Sequence, residues 1–298
     1  MNCRRRALLL LLLAVAAGPG RRHARAEGRA DFVRGLLWRV ERPGTVPSHV
    51  FGTIHYPDPR VTRLPPAVQE ALLGSRSFTM EISLDDTARR VFADAMFLDR
   101  GRRLDALLDP ATFEQAVRRM AAAGFPREIT AQLKPWAVLV NLVVPEPTEG
   151  VILDNELLHQ AMLQRKTVYQ LETVEEQIAV FDDIPMETQV ALLQDTLRRF
   201  DLMAGMIGRT IDAYLASDLE GIWRINTVLM QSSGDAESHH RYFIRRVIHG
   251  RSIIMAHRMQ ARLREGKAFF AVGAMHLYGE QGILNLLQQE GFIVTRVY

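Results

Sequence analysis

The sequence predicts an α/β (α+β) fold: one sheet core made of two strand–Gly-x-x-His–loop–helix–strand halves, with a large helical insertion between them. Three observations predict it. Gly52-Thr53-Ile54-His55 and Gly273-Ala274-Met275-His276 are the same motif, each following an apolar β-like run. Each is followed by a loop, a helix candidate and another strand candidate. Between the two units, over residues 85–264, most windows carry helical rather than alternating periodicity.

The elements follow in order. Leu36–Glu41 and His49–Ile54 read as strands joined by a turn at Pro43-Gly44. Pro65-Pro66 fits the start of a helix ending near Gly74, and Ser77–Ile82 is the next strand. Helices are then expected at Thr87–Leu98, Pro110–Ala123, Pro135–Val144, Asn155–Gln164, Val174–Asp182, Met186–Met206, Thr210–Ala216 and Ser238–Arg264. One strand, Thr167–Glu172, interrupts them. Ala268–Val272, a helix over Gly282–Gln289 and a strand over Phe292–Val297 close the second half. At 298 residues the chain can bury a sizeable core. No linker or low-complexity run sets the insertion apart, so residues 27–298 read as a single domain. Its split core is residues 27–84 and 265–298 with the strand at 167–172, and residues 85–264 are the insertion.

The first 26 residues read differently. Arg4-Arg5-Arg6, the apolar run Ala7–Ala17 and Ala24-Arg25-Ala26 have the order of a secretory signal peptide with an A-x-A cleavage site. The apolar run is short for a bilayer span. The expected location is therefore periplasmic or secreted in a bacterium, with N-terminal anchoring if the signal stays on and no stable span once it is removed. Cleavage after Ala26 removes six of the 37 basic residues and no acid, leaving 31 against 34 and a net charge of −3. The formal +3 of the whole chain thus belongs to the leader, and nucleic-acid binding loses its support. Cys3, the one cysteine, leaves with it, which excludes disulfides and thiol catalysis from the mature chain. Oligomeric state is not legible.

Four residues follow strands on one expected edge. In open α/β sheets ligands gather beyond the carboxyl ends of strands, where both His55 and His276 fall. Glu81 ends the run Phe78-Thr79-Met80-Glu81, and Glu172 ends Thr167–Glu172. Two imidazoles and one or two carboxylates converging there would make a divalent-metal site, imidazole favouring zinc, iron or nickel and added carboxylate favouring manganese or iron. Packed histidines and solvated strand ends are the competing reading, and Glu172 equally suits the N-terminus of the Val174 helix. Ile244, Ile248, Arg251, Met255 and Met259 follow spacings of four, three, four and four, which sets an arginine on an apolar stripe. A buried guanidinium needs anionic partners. Glu280 could serve as a general base or orient His276, or simply precede the next helix; Asp154 is a weaker candidate of the same kind. His239-His240 reads as a solvated pair, and His249 and His257 lie off the Arg251 stripe. Phosphate loops, Gly-x-Ser-x-Gly, His-Glu-x-x-His and Cys-x-x-Cys motifs are absent.

Together these residues resemble the TraB/PrgY/GumN family, its GumN-like bacterial branch most. The resemblance rests on Leu37-Trp38-Arg39-Val40-Glu41, Phe51-Gly52-Thr53-Ile54-His55, Leu64-Pro65-Pro66-Ala67-Val68, Met80-Glu81, Leu171-Glu172-Thr173 with Glu175-Glu176-Gln177, and Ala271–Leu277 with Gly279-Glu280. It implies a sheet-and-helix fold shared with ChaN-like and erythromycin-esterase-like proteins. Tiki members are described as metal-dependent proteases using both Gly-x-x-His motifs and a glutamate, which maps onto His55, His276 and Glu81. An arginine upstream of the second motif is also typical and fits Arg251, although Ser252 follows it where relatives often have asparagine.

The expectation is an exported metal-dependent hydrolase, most simply a peptidase acting on a peptide or protein. A divalent metal (Mn, Co, Zn or Fe) would be held by His55, Glu81 and His276, with Glu172 a further ligand. Arg251, Glu280 and Glu81 are the expected catalytic groups. The alternative is a non-catalytic protein that binds haem, a metal complex or a peptide, with Tyr56 and Tyr278 beside the histidines, or an accessory of export or exopolysaccharide assembly.

Overall fold

The computed structural model describes residues 32–83, 85–99, 101–143, 150–203, 205–227 and 235–298. The leader expected at 1–26, and Val144 at the end of one expected helix, lie outside them.

The fold is mixed α/β. Six strands, β1 (Leu37–Glu41), β2 (Ser48–Thr53), β3 (Ser77–Met80), β4 (Thr167–Gln170), β5 (Ala268–Gly273) and β6 (Ile293–Arg296), form one sheet in the order β4-β3-β5-β2-β1-β6. All six expected strands are present, within two residues at each end. β4, β3, β5 and β2 are mutually parallel, whereas β1 runs antiparallel to β2 and β6. The middle of the sheet is buried on both faces. Every residue of β5 (Ala-Phe-Phe-Ala-Val-Gly) and of β3 (Ser-Phe-Thr-Met) is buried, which explains the continuous apolar run of β5 in place of alternation. Phe269 packs against Phe51 and Phe78 of the strands on either side.

The two motif-bearing halves interlock. β2 does not pair with β3, the strand that follows it, but with β5; β3 lies on the far side of β5. β6 likewise lies beyond β1 and not beside β5. This exchange makes Gly52↔Val272 and Thr53↔Gly273 direct partners, so the two Gly-x-x-His segments leave the sheet side by side.

The longer helices follow their expected positions with three main differences, and one histidine pair is placed otherwise than expected. The expected Met186–Met206 helix stops at Arg198; a 3₁₀ turn (Phe200–Met203) follows, and Gly205, at φ 76°, starts a new helix, Met206–Leu215. Leu219–Thr227 is a helix where the periodicity predicts none. The expected Ser238–Arg264 helix is a run from Asp235 to Glu265 interrupted by a π turn at Arg245–Gly250. His239-His240 is not a solvated pair: His240 is buried beside Asp195, and His239 Nδ1 lies 2.9 Å from Thr188 Oγ1.

Candidate active site

Four parallel strands in spatial order β4, β3, β5, β2 end on one edge, and the residues that follow them stand in the same order: Glu172, Glu81, His276, His55. Pairing continues one step past the strands. The amides of Leu171 and Glu172 both bond to the Glu81 carbonyl, which keeps the two glutamates adjacent.

Arg251 enters this row from the first turn of the helix Arg251–Glu265 and is 2% exposed. Its Nε donates to Glu172 Oε1 at 2.9 Å, and its Nη2 donates to Glu172 Oε2 at 2.5 Å and to Glu81 Oε2 at 2.6 Å. Nη1 lies 3.3 Å from His276 Nε2. The predicted apolar stripe is buried along its length, and the arginine within it meets the anionic partners that burial demands. Glu172 is fully engaged, because Gln177 Nε2 also donates to its Oε2. Glu81 Oε1 accepts from the Gly273 amide at 2.6 Å, the first residue of the second motif.

Each histidine is oriented through Nδ1. His276 Nδ1 meets Ser252 Oγ at 2.9 Å. His55 Nδ1 donates to Asp154 Oδ2 at 2.8 Å, while Thr53 Oγ1, from the same motif, donates to Oδ1 of that carboxylate at 2.8 Å. His55 Nε2 is buried and has no hydrogen-bond partner. Gly52 is needed for close approach: a Cβ there would stand 2.9 Å from Leu277 Cδ1 and 3.3 Å from the Ala274 backbone.

The electrostatics separate the two rings. Burial pushes His276 down to about 3; Glu81 opposes the fall, and Arg251 and His55 add to it. His55 also meets the cost of burial, but the Asp154 and Glu81 charges outweigh it and raise the ring above its usual value. Burial pushes the Glu81 carboxyl up, yet Arg251, His276, His55 and the Gly273 amide overcome it and hold it at about 2.

The structure therefore brings His55, Glu81, His276, Glu172 and Arg251 together. Glu280 is exposed, and its carbonyl accepts from Asn285 at the start of the next helix; the group facing His276 Nδ1 is Ser252. Tyr278 stacks at an angle on Trp223, and Tyr56 is pushed up to about 12 by burial. Ser252 takes a role the sequence did not suggest, and Asp154, a weak candidate by sequence, is the direct partner of His55.

Residues 36–296 match the TraB/PrgY/gumN family. The chain belongs to that family. Among its relatives, the metalloprotease TIKI2 of Danio rerio is 28% identical over 87% of this chain and 60% of its own length. The metalloprotease TIKI homolog of Nematostella vectensis is 26% identical over 88% of this chain and 67% of its own. The uncharacterized protein YbaP of Escherichia coli is 23% identical over 84% of this chain and 90% of its own. The chain thus spans about three-fifths of the zebrafish TIKI2 length. No solved structure matches the chain.

Those metalloprotease names imply a metal in part of the TraB/PrgY/gumN family, and the donor chemistry here fits one. His55 Nε2 is a buried nitrogen without a partner, and Nδ1 bonding at both rings leaves a lone pair on each Nε2, that of His276 already facing Arg251 Nη1. Glu81, Glu172 and Asp154 are three buried carboxylates against the single guanidinium of Arg251, a formal surplus of two negative charges. The spacing is less accommodating. Among the described residues no three His, Cys, Asp or Glu side chains are set to hold one ion. Arg251 takes the position between the two glutamates and His276. Among the described residues no helix is long and apolar enough to cross a membrane.

Proposed function

We propose that this chain is an exported metal-dependent hydrolase of the peptidase kind, a single domain over residues 27–298 once a leader at 1–26 is removed. The observation that carries the reading is the unpartnered, buried Nε2 of His55, on the same sheet edge as His276, Glu81 and Glu172. His55, His276 and Glu81 would hold a divalent ion, with manganese, cobalt, zinc or iron compatible with the donor set. When bound, such an ion supplies Lewis-acid polarisation of a carbonyl and a lowered pKa for water.

The remaining work falls to the protein. Asp154 and Ser252 fix the tautomer and direction of the two imidazoles. Glu172 spends both oxygens on Arg251 and Gln177, so it supports the arginine and is a poorer ligand than Glu81. Arg251 holds Glu81 in place and keeps one Nη1 hydrogen uncommitted, available to a developing oxyanion.

A second reading rests on the position of Arg251 between the candidate ligands. In it the His55–Asp154 pair is a metal-independent general base, its raised imidazole poised to take a proton from water. One experiment separates the two. The full chain, purified without chelator, is analysed for metal beside His55→Ala and His276→Ala, and peptide hydrolysis is followed with and without chelator. Bound metal that disappears in both variants, with chelator-sensitive hydrolysis, is the expected result. Equal metal content in all three proteins defeats the metal reading, and hydrolysis that survives chelation selects the general base.

A further inference from the structure

Glu172 and Arg251 form the inner end of a second feature, a cleft of about 520 Å³ between two helices. That volume is in the range of sites that take small ligands or short peptide segments. One wall is the helix Val174–Asp182, presenting Ala179 and Val180; the other is the run Asp235–Glu265, presenting Tyr242, Arg245 and Ile254. The π turn at Arg245–Gly250 lies along the cleft directly before Arg251.

The arginines of this cleft differ in what they do. Arg246 crosses to the opposite helix, donating to the Val180 carbonyl at 2.8 Å, the Ala179 carbonyl at 2.7 Å and Asp183. Arg258 does the same with the Leu171 carbonyl and Glu176. Both are staples between the walls. Arg245 is exposed, lies over the Tyr242 ring at 5.7 Å, and no described carboxylate pairs with it. Of the four lining arginines, Arg246 pairs with Asp183, Arg258 with Glu176, and Arg251 with Glu81 and Glu172, which leaves Arg245 as the cation of this lining that no described carboxylate neutralises. The same cleft also presents apolar surface, with Ile254 46% exposed. A cation without a carboxylate partner, in a cleft that also exposes apolar surface, matches an anion carried on an apolar body.

We propose that this cleft is a carboxylate-binding subsite for a peptide: Arg245 pairs with the carboxylate, and an adjoining apolar side chain of the peptide lies against Tyr242 and Ile254. It names a substrate class for the hydrolase reading and rests on that reading only for the word substrate, since binding here does not require chemistry at His55.

The test measures binding of fluorescein-labelled Ala-Ala-Phe-Leu to the full chain by anisotropy. The peptide is used with a free carboxylate, as its amide, and as an amide in which Glu replaces the last residue. Wild type is expected to prefer the free acid over the plain amide by about tenfold, as a charge-assisted pair at a half-open site allows. Arg245→Gln should bring the ratio to about one, and Arg245→Lys should keep part of it. If the Glu amide binds like the free acid, a side-chain carboxylate is the ligand; if it binds like the plain amide, the chain terminus is. Equal binding of free acid and plain amide by wild type, or a preference that persists in Arg245→Gln, overturns the subsite. Far-UV circular dichroism shows whether the variants fold, and His55→Ala should retain the preference. A preference without chelator-sensitive hydrolysis counts against the hydrolase reading alone, and hydrolysis without the preference counts against the subsite alone.

Discussion

Ser252 Oγ stands 2.9 Å from His276 Nδ1 and gives its own proton to the Ile248 carbonyl at 2.8 Å. A hydroxyl has one proton, so the imidazole supplies the hydrogen between them and keeps its lone pair on Nε2. Asp154 imposes the same tautomer on His55. A neutral hydroxyl and a carboxylate thus orient the two rings alike but charge them differently. His276 falls to about 3 chiefly through burial, while Asp154 offsets burial and lifts His55. The paired motifs are matched in direction and unequal in basicity.

The orienting partners are testable through metal affinity. Removing a carboxylate or hydroxyl that fixes a ligating histidine commonly costs about 10–100-fold in affinity. Asp154→Ala is expected at the upper end, because it removes charge as well as orientation, and Ser252→Ala at the lower end. Calorimetric titration of the full chain with zinc or manganese measures both. An Asp154→Ala affinity equal to wild type would detach His55 from any metal site.

Arg251 holds two buried carboxylates, and its loss leaves both without their cation. Breaking a buried pair by removing one partner costs about 3–5 kcal/mol. Arg251→Met, close in length and apolar, is expected to lose that much in urea unfolding. Arg251→Lys should lose less, since an ammonium keeps the charge but not the forked contact to Glu172. A stability loss below about 1 kcal/mol for Arg251→Met would mean that Glu81 and Glu172 find other compensation.

Legibility in the sequence followed how locally each signal is written. β5 was readable because its whole length is buried, so a run of six apolar or small residues had to lie inside the sheet. Arg251 was readable because a charge on an apolar stripe is locally inconsistent and asks for a partner. Its partners are 79 and 170 residues away, and only their placement at strand ends hinted at them. Asp154 was hardly readable: at the start of the Leu153–Leu163 helix it looks like any first-turn acid. Ser252 is ambiguous for a related reason, since a helical serine commonly bonds back to the preceding turn, as it also does here. The break after Arg198 and the π turn depend on tertiary packing that no helical period records. The burial of His240 beside Asp195 on another helix leaves no mark in a local window.

Gly52 tests the join between the halves. Its partner across the sheet is Val272, and the space a side chain would need is filled by Leu277 and the Ala274 backbone of the second motif. Leu277 is fully buried and has little room to turn away. Gly52→Ala is therefore expected to cost about 1–3 kcal/mol by overpacking, read as a lower urea midpoint with an unchanged slope. Gly74→Ala, where nothing lies within reach of an added Cβ, is the control and should leave the midpoint close to wild type.

The acid side of the stability profile contains one separable contribution. Glu176 caps its own helix through the Thr173 amide, at 2.9 Å, and pairs with Arg258 on the opposite helix. Its carboxyl is lowered from 4.5 to about 2, first by the Arg258 hydrogen bonds, against burial, and then by the Thr173 amide and the Arg258 charge. A carboxylate depressed in the folded state stabilises that state fully above its unfolded pKa. The contribution is lost as pH falls from about 4.5 toward about 2, because the unfolded chain binds the proton first. Both side chains are more than a third exposed, at 41% and 38%, so screening by solvent holds the effect below about 1 kcal/mol. Urea midpoints at about pH 6 and about pH 3 should therefore fall further for wild type than for Glu176→Gln, which has no proton to gain. Parallel pH profiles for the two proteins would show that the Glu176–Arg258 pair contributes nothing to acid unfolding.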